Sequence, residues 1–179
     1  MELRFSPLFS GSSGNAVYVA GPGCEILIDA GVSCSRIADE MRTIGADPKN
    51  ISAILITHEH IDHIRGAGIF ARKYGAPIYA TAGTWEAMRQ RIGEIPAEFV
   101  RVIDRERDFF LGKMNVQPFE TPHDAAESAG YVLSIPGGAR FAVATDIGCV
   151  KSGWLNAVSG AAAVLLESNY DPGKLRAGK

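Results

Sequence analysis

The most informative stretch of this chain is Thr57-His58-Glu59-His60-Ile61-Asp62-His63. It follows the apolar run 51–56, which is typical of a buried strand, and precedes the segment 64–74, which is predicted to form a helix. The stretch therefore lies where a strand ends and a helix begins, as ligand sites do in α/β folds. The chain has 4 histidines and three of them fall here, so we interpret the stretch as a binding site and not as a solvated loop.

The spacing of these side chains indicates how they would bind metal. In an extended segment, residues i and i+2 point to the same side, so His58 and His60 can reach one cation together while Glu59 points away. Asp62 and His63 come after the chain turns, and can face a second cation nearby. Neutral imidazoles and carboxylates suit zinc, and also manganese or iron, without any thiolate. We therefore predict one or two divalent cations, with zinc as the first choice.

Composition predicts one globular domain over residues 1–179. Apolar residues make up 46% of the chain and charged residues 21%, close to the averages of globular domains. The formal net charge is −2, so no strong overall field attracts nucleic acid, and binding to DNA must use a local patch.

Cysteine usage favours a cytoplasmic protein. Cys24, Cys34 and Cys149 form no C-x-x-C motif and are odd in number, which fits reduced thiols better than disulfides. The first residues lack the pattern of a signal peptide, and no apolar run approaches the roughly 18 residues of a membrane span. We expect no membrane partner, and the sequence leaves the oligomeric state open.

Strands and helices are predicted along the whole chain. The predicted helices cover 33–44, 64–74, 84–92 with Thr84 as its N-cap, and 154–158. The predicted strands cover 3–9, 16–20, 24–28, 51–56, 78–80, 99–103, 109–111, 116–119, 131–135, 140–144 and 161–166.

Three further polar residues follow predicted strands. His123 would usually be a loop residue, but beside an incomplete pair of histidines it is the natural third ligand of an open metal site. Asp146 ends a buried strand, where a carboxylate is costly unless it is paired or bound to metal. Asp29 follows a strand too, and can cap the next turn or steady a ligand histidine; we expect the supporting role and not a ligand.

The pattern H-x-H-x-D-H after a buried strand resembles the metallo-β-lactamase superfamily of binuclear metallohydrolases. The segments FSGSSGN at 9–15 and LLESN at 165–169 resemble its YycJ/WalJ-like branch. The resemblance implies an α+β protein with a four-layer αββα sandwich.

The resemblance also implies roles for individual residues. It gives the metal ligands His58, His60, Asp62, His63, His123 and Asp146. Asp146 is expected to bridge both metals beside His60 and His63, and Asp62 to orient the attacking hydroxide as a catalytic residue. The Gly/Ser loop lies near the metals in the family, which makes Ser12, Ser13 and Asn15 candidate substrate contacts.

The predicted function is a divalent-metal-dependent hydrolase that uses a metal-bound hydroxide. A bound cation lowers the pKa of water to near neutral and neutralises charge that develops on the substrate. The branch suggests a phosphodiesterase or nuclease that acts on DNA ends. The alternatives are hydrolysis of another ester, a thioester or an amide, a non-catalytic metal-binding protein, and a flavodiiron-type electron carrier.

The chain departs from the family after residue 166. Members of the family continue with further elements and a last ligand histidine, whereas no histidine follows His123 here, and Tyr170 stands where the branch usually has one. We therefore expect a C-terminally truncated domain whose second cation binds more weakly than the first.

Overall fold

The computed structural model describes residues 2–149 and 152–166. Its first sheet has six strands in the order of the chain. They are β1 (Arg4–Phe9), β2 (Ala16–Gly21), β3 (Cys24–Ile28), β4 (Ile51–Leu55), β5 (Ile78–Thr81) and β6 (Val100–Ile103). The first three strands pair antiparallel, and β3 to β6 pair parallel.

Within the described residues, the second sheet has five strands, ordered β11-β10-β9-β8-β7. They are β7 (Phe109–Leu111), β8 (Met114–Glu120), β9 (Ala129–Ser134), β10 (Arg140–Ala144) and β11 (Ala163–Leu166). Strands β7 to β10 pair antiparallel, and β11 joins β10 in parallel. The motif segment at 165–169 and the position of Tyr170 fall largely outside the described residues, as does the end of the chain.

Five α-helices accompany the sheets in the part of the chain that the structure describes. They are α1 (Cys34–Thr43), α2 (Ile61–Ile64), α3 (Ala67–Tyr74), α4 (Ala82–Met88) and α5 (Ser152–Val158). None of the helices in this described part is long and apolar enough to span a membrane.

Three apolar clusters show that the layers are helix, sheet, sheet and helix. The first cluster packs α1, α3 and α4 on the first sheet, for example Phe70 against Ile54. The second fills the space between the sheets, with Leu55 and Tyr131 among its members. The third packs Trp154 of α5 on the outer face of the second sheet. Each fully buried large side chain stabilises the fold by roughly 1.5–3 kcal/mol. The two sheets and the helices packed on them confirm the predicted α+β sandwich.

The helix predicted over 64–74 is wrong in its boundaries. It begins at Ile61, inside the histidine stretch, and breaks between α2 and α3. At the break, the Gly66 N–H donates to the Ala30 carbonyl at 2.7 Å, and a Cβ on Gly66 would collide with the Val32 carbonyl. The loop after β3 thus sets where the helix ends, which local periodicity does not reveal.

The N-cap predicted for α4 is also wrong. The N-cap lies three residues earlier than expected, at Thr81, whose hydroxyl accepts the Thr84 N–H at 3.3 Å. Thr84 lies inside the helix, and its own hydroxyl donates to the Glu127 carbonyl. The polar residue that ends β5 therefore also caps the helix that follows it.

Candidate metal centre

Strand ends from both sheets meet at one site. In the first sheet, β3 and β4 run parallel with Ile28 opposite Leu55, so Asp29 and the histidine stretch emerge at the same edge. In the second sheet, β8 and β10 both pair antiparallel with β9 and so run in the same direction. Their carboxyl ends therefore deliver His123 and Asp146 to one edge of that sheet.

Three histidines converge in a first group. Possible ligand atoms of His58, His60 and His123 all lie within 4.8 Å of one another. The His123 Nε2 lies 3.1 Å from the His60 Nδ1, and the His58 ring lies edge-on to both other rings. On the far side of its ring, the His123 Nδ1 lies 2.9 Å from the Asp124 carboxylate, which leaves Nε2 to face the group.

A second group shares His58 with the first and adds His63 and Asp146. The Asp146 Oδ2 lies 3.0 Å from the His63 Nε2 and 3.9 Å from the His58 Nε2. The Asp62 Oδ2 lies 3.8 Å from the same nitrogen of His63. The structure thus brings the six predicted ligands to one place, while the expected contact of Asp146 with His60 stays a prediction.

His58 is the residue that both groups require, and it is held as a neutral imidazole. Burial first, and the neighbouring His63 second, lower the pKa of His58 to about 2. Its Nδ1 lies 3.0 Å from the Thr57 hydroxyl, whereas its buried Nε2 has no hydrogen-bond partner within the described ranges. A buried nitrogen of this kind is costly unless a cation binds it, so the donor set fits a divalent metal.

His63 is buried against two carboxylates. Burial alone would lower its pKa, but Asp29 and Asp146 outweigh that effect and raise the pKa of His63 to about 10. Its Nδ1 lies 2.8 Å from the Asp29 Oδ2, and its Nε2 faces Asp146. Without metal, His63 is therefore an imidazolium at neutral pH, and a cation bound there replaces its Nε2 proton.

Asp29, for which the sequence predicts a supporting role, contacts both Thr57 and His63. Its carboxylate accepts the Thr57 N–H at 2.8 Å and the Thr57 hydroxyl at 2.9 Å, in addition to its contact with His63. Asp29 adopts a φ of 61°, and Asp146 a φ of 53°, both in the left-handed region that most residues avoid. Such backbone strain concentrates at functional sites, where the surrounding contacts enforce it.

The Gly/Ser loop contacts the site through Asn15, whose contact with substrate stays a prediction. Asn15 is buried, its Oδ1 accepts the Gly11 N–H, and its Nδ2 lies 3.1 Å from the His63 Nε2. Asn15 therefore stabilises the loop and contacts a candidate ligand. Ser12 and Ser13 are exposed, and their contact with substrate stays a prediction.

Sequence reasoning missed two residues of the histidine stretch itself. The Thr57 hydroxyl lies between Asp29, His58 and the Nδ1 of His63, so one side chain orients both histidines. Glu59 points away from the histidines, as expected, but its carboxylate is buried and accepts the Ala126 N–H. In the sequence, only the position of Glu59 between the candidate ligands His58 and His60 indicates a role at the site.

An open cleft adjoins His123. It has a volume of about 630 Å³ and is lined by Arg105, Glu120 and Cys149 among others. The Arg105 Nη1 donates to the Ser128 carbonyl, and its Nε lies 3.8 Å from the Glu127 carboxylate. His123 is the member of the histidine group that lines this cleft.

The sequence of this chain is similar to those of several known proteins. Residues 10–173 match the sequence profile of the metallo-beta-lactamase superfamily. The chain is 39% identical to the exodeoxyribonuclease YycJ of Bacillus anthracis over 181 residues, which cover 100% of this chain and 67% of that protein. It is 35% identical to the exodeoxyribonuclease WalJ of Streptococcus pneumoniae, over 98% of this chain and 66% of that protein. The chain thus spans about two thirds of the length of these curated relatives.

Solved structures support the same architecture. A B3 metallo-β-lactamase with an active-site glutamic acid superposes with a TM-score of 0.65 at 23% identity, over 79% of this chain and 60% of that one. At this level of identity the likeness shows the fold alone.

Proposed function

Because the chain belongs to the YycJ/WalJ-like branch of the metallo-β-lactamase superfamily of metal-dependent hydrolases, we propose that it hydrolyses phosphodiester bonds at DNA ends. The observation that carries the proposal is the convergence of His58, His60 and His123 in one ligand group, with the Asp62 and Asp146 carboxylates close to the His63 Nε2 beside it. The membership confirms the resemblance drawn from the sequence, and the names of the relatives support DNA as the substrate.

The proposed ligands fall into two sets. His58, His60 and His123 hold the first cation through imidazole nitrogens, with Asp146 as a fourth ligand. Asp62, His63 and Asp146 hold the second. Three-histidine sites with carboxylates nearby suit zinc, so zinc is the proposed ion, with manganese or iron as substitutes.

Cations bound in these sets would supply Lewis acidity and a water of lowered pKa. The chain's own residues determine the geometry. Asp62, which is half-buried, is proposed to orient the attacking water as well as to bind metal. Asp29 holds His63 through its Nδ1, and Thr57 holds both His58 and Asp29. Asn15 closes the site from the side of the Gly/Ser loop.

Basic residues near the site differ in their availability for a DNA backbone. Arg72 donates to the carbonyls of Ile92 and Glu94, and Arg91 donates to the Glu59 carbonyl, so both are engaged in the fold. Arg65 is exposed directly after the histidine stretch. Because the net charge is −2, we propose that local cations such as the exposed Arg65 carry the contact with phosphate.

The experiment that tests the proposal measures nucleotide release from end-labelled linear DNA. Chelator-treated protein should be inactive and should recover with zinc or manganese. His60→Ala and Asp146→Asn should each reduce the rate at least about 100-fold, because each removes a ligand. Asp39→Asn is the matched control, since Asp39 is exposed and pairs with the exposed Arg42.

Other substrates decide between this proposal and its alternatives. Bis-p-nitrophenyl phosphate, a thioester and a β-lactam can be offered to the same metal-loaded protein. Metal-dependent turnover of the thioester or the β-lactam alone would contradict the phosphodiesterase proposal. Metal binding without turnover of any of them would favour a non-catalytic protein.

The proposed compartment is the cytoplasm. Cys24 and Cys34 are buried free thiols, and Cys149 is an exposed free thiol. Thiols that remain reduced fit a reducing compartment.

A further inference from the structure

Glu59 stands between the ligands His58 and His60 but faces the opposite side of the chain. Its side chain is only 8% exposed. One carboxylate oxygen, Oε1, accepts the backbone N–H of Ala126 at 2.8 Å. The acceptor and donor are 67 residues apart in sequence, so this hydrogen bond joins the histidine stretch to a distant loop.

The loop that receives this hydrogen bond is the one that carries His123. Its far end is fixed by the Glu127 carbonyl, which accepts the hydroxyls of Thr81 and Thr84. The Ser128 hydroxyl closes the loop on itself by donating to the Thr121 carbonyl at 2.7 Å. Two anchors come from the histidine stretch of the first sheet: the Thr57 carbonyl accepts the Ala129 N–H at 2.9 Å at the end of the loop, and the Glu59 carboxylate accepts the Ala126 N–H within it.

The energetics of Glu59 argue against a purely structural role. A carboxylate that accepts a backbone N–H forms a charge-assisted hydrogen bond, which is stronger than a neutral one. Its second oxygen, Oε2, is nevertheless buried without a hydrogen-bond partner among residues 2–149 and 152–166. Burying an incompletely satisfied carboxylate costs stability, and an apolar residue at this position would avoid that cost.

We propose that Glu59 is a positioning residue that holds His123 at the distance from His58 and His60 that a cation requires. Asp124 turns the His123 ring by its contact with Nδ1, whereas Glu59 places the backbone that carries the ring. Because Glu59 is covalently next to His58 and His60, any movement of the ligand pair moves the third ligand with it. The inference rests on the proposed metal site.

The first test compares the zinc affinity of Glu59→Ala and Glu59→Gln by competition with a chelator of known affinity. Glutamine keeps the length of the side chain and an oxygen that can accept the Ala126 N–H. Glu59→Ala should lose about tenfold or more in zinc affinity, as expected for loss of a supporting hydrogen bond, while Glu59→Gln stays within about threefold of the wild type. Glu98→Ala is the control glutamate, because it is exposed and far from the site in sequence.

A second variant removes the same hydrogen bond from its other end. Ala126→Pro lacks the N–H and changes an exposed residue, so it carries the test even if Glu59→Ala does not fold. It should weaken zinc binding to a similar extent as Glu59→Ala. The visible spectrum of the cobalt-loaded protein should change in both variants, because the geometry around the metal changes.

A double-mutant cycle with His123→Ala distinguishes positioning from general loosening of the fold. If Glu59 acts through His123, Glu59→Ala should reduce zinc affinity little further once His123 is alanine. Additive losses in the cycle, or unchanged zinc affinity in Glu59→Ala, would overturn the inference. Absence of zinc binding by the wild type would instead overturn the proposed function, so the two failures are distinguishable.

Discussion

The Nε2 of His123 lies 3.1 Å from the Nδ1 of His60, although the two residues are 63 positions apart and follow strands of different sheets. Each sheet alone presents an incomplete donor set. The candidate ligand atoms that follow the two sheets meet at one edge of the sandwich, whereas the apolar cluster between the sheets joins them in the interior. A cation bound there would link the two sheets directly, so metal binding and folding stability should be coupled.

The first prediction follows from this coupling. Zinc at 100 times its dissociation constant should stabilise the wild type by about 2.7 kcal/mol, because it binds the folded state and not the unfolded chain. His123→Ala should lose most of that gain while the stability of the metal-free protein changes little, since His123 is partly exposed. Thermal unfolding with and without zinc measures both quantities. A full zinc-induced shift in His123→Ala would contradict the placement of His123 in the site.

The second prediction concerns Gly31, which allows the close approach of two segments of the site. Its N–H donates to the Asn15 carbonyl at 2.8 Å, and a Cβ there would collide with the Asp62 backbone carbonyl. Gly31→Ala should therefore displace Asp62 and His63, and reduce binding of the second cation more than binding of the first. Equilibrium dialysis with zinc analysis measures the two affinities.

Gly153→Ala provides the matched control for that substitution. Gly153 lies in α5, and a Cβ there meets nothing within 4 Å. Alanine in a helix should stabilise the protein by roughly 0.5–1 kcal/mol relative to glycine and leave metal binding unchanged. Equal loss of the second cation in both variants would show that the effect does not come from the site.

The third prediction concerns the hydroxyl of Tyr131, which joins the second sheet to the end of β4. It donates to the Ile56 carbonyl at 2.6 Å, directly before the histidine stretch. Tyr131→Phe should lower the free energy of unfolding by about 1–3 kcal/mol at pH 7, since a buried carbonyl loses its donor. Chemical denaturation of the two proteins measures the difference.

The difference in the free energy of unfolding between the wild type and Tyr131→Phe should depend on pH. Burial first, and the Asp29 carboxylate second, raise the pKa of Tyr131 well above its ordinary value of 10.0. The stability that the protonated phenol contributes is therefore fully present below about pH 10, and falls as the pH rises above that value. The advantage of the wild type over Tyr131→Phe should shrink there. A constant difference up to pH 11 would contradict the assignment.

Much of the site could be predicted from the sequence because it depends on local geometry. The alternation of side chains in an extended segment places His58 beside His60, and the strand ends identify Asp29, His123 and Asp146. The family resemblance supplied the sharing of Asp146, which spacing alone does not give.

The remaining features depend on contacts between segments that are distant in sequence. The break of the helix at Gly66 follows from the loop after β3, and the roles of Asn15 and Glu59 follow from the partners that the fold brings to them. No periodicity records such contacts, since both the polar loop and the buried carboxylate look like ordinary surface residues in the sequence. Sequence reasoning therefore identified the candidate ligands and Asp29 as a supporting residue, but not the contacts of Thr57, Asn15 and Glu59 around them.

The last prediction concerns the proton on His63. Because Asp29 and Asp146 raise the pKa of His63 to about 10 against the pull of burial, the metal-free protein carries an imidazolium there at neutral pH. In that protein the charged ring contributes stability that is fully present below about pH 6.5, the ordinary pKa of histidine, and is lost as the pH rises through about 10.

A cation needs the neutral His63 ring, so the second cation must displace a proton. The apparent affinity of the second cation should rise nearly tenfold per pH unit between pH 7 and 8.5, with release of about one proton from His63. Binding of the first cation should release no proton from His58, because that ring is already neutral. Calorimetric titration in buffers of different ionisation enthalpy measures the protons released. Asp29→Asn keeps an acceptor for the His63 Nδ1 but removes the charge, so its proton release at pH 8 should be smaller. If the second cation bound with the same affinity at pH 7 and 8.5 in the wild type, His63 would not be the ligand that exchanges its proton for metal.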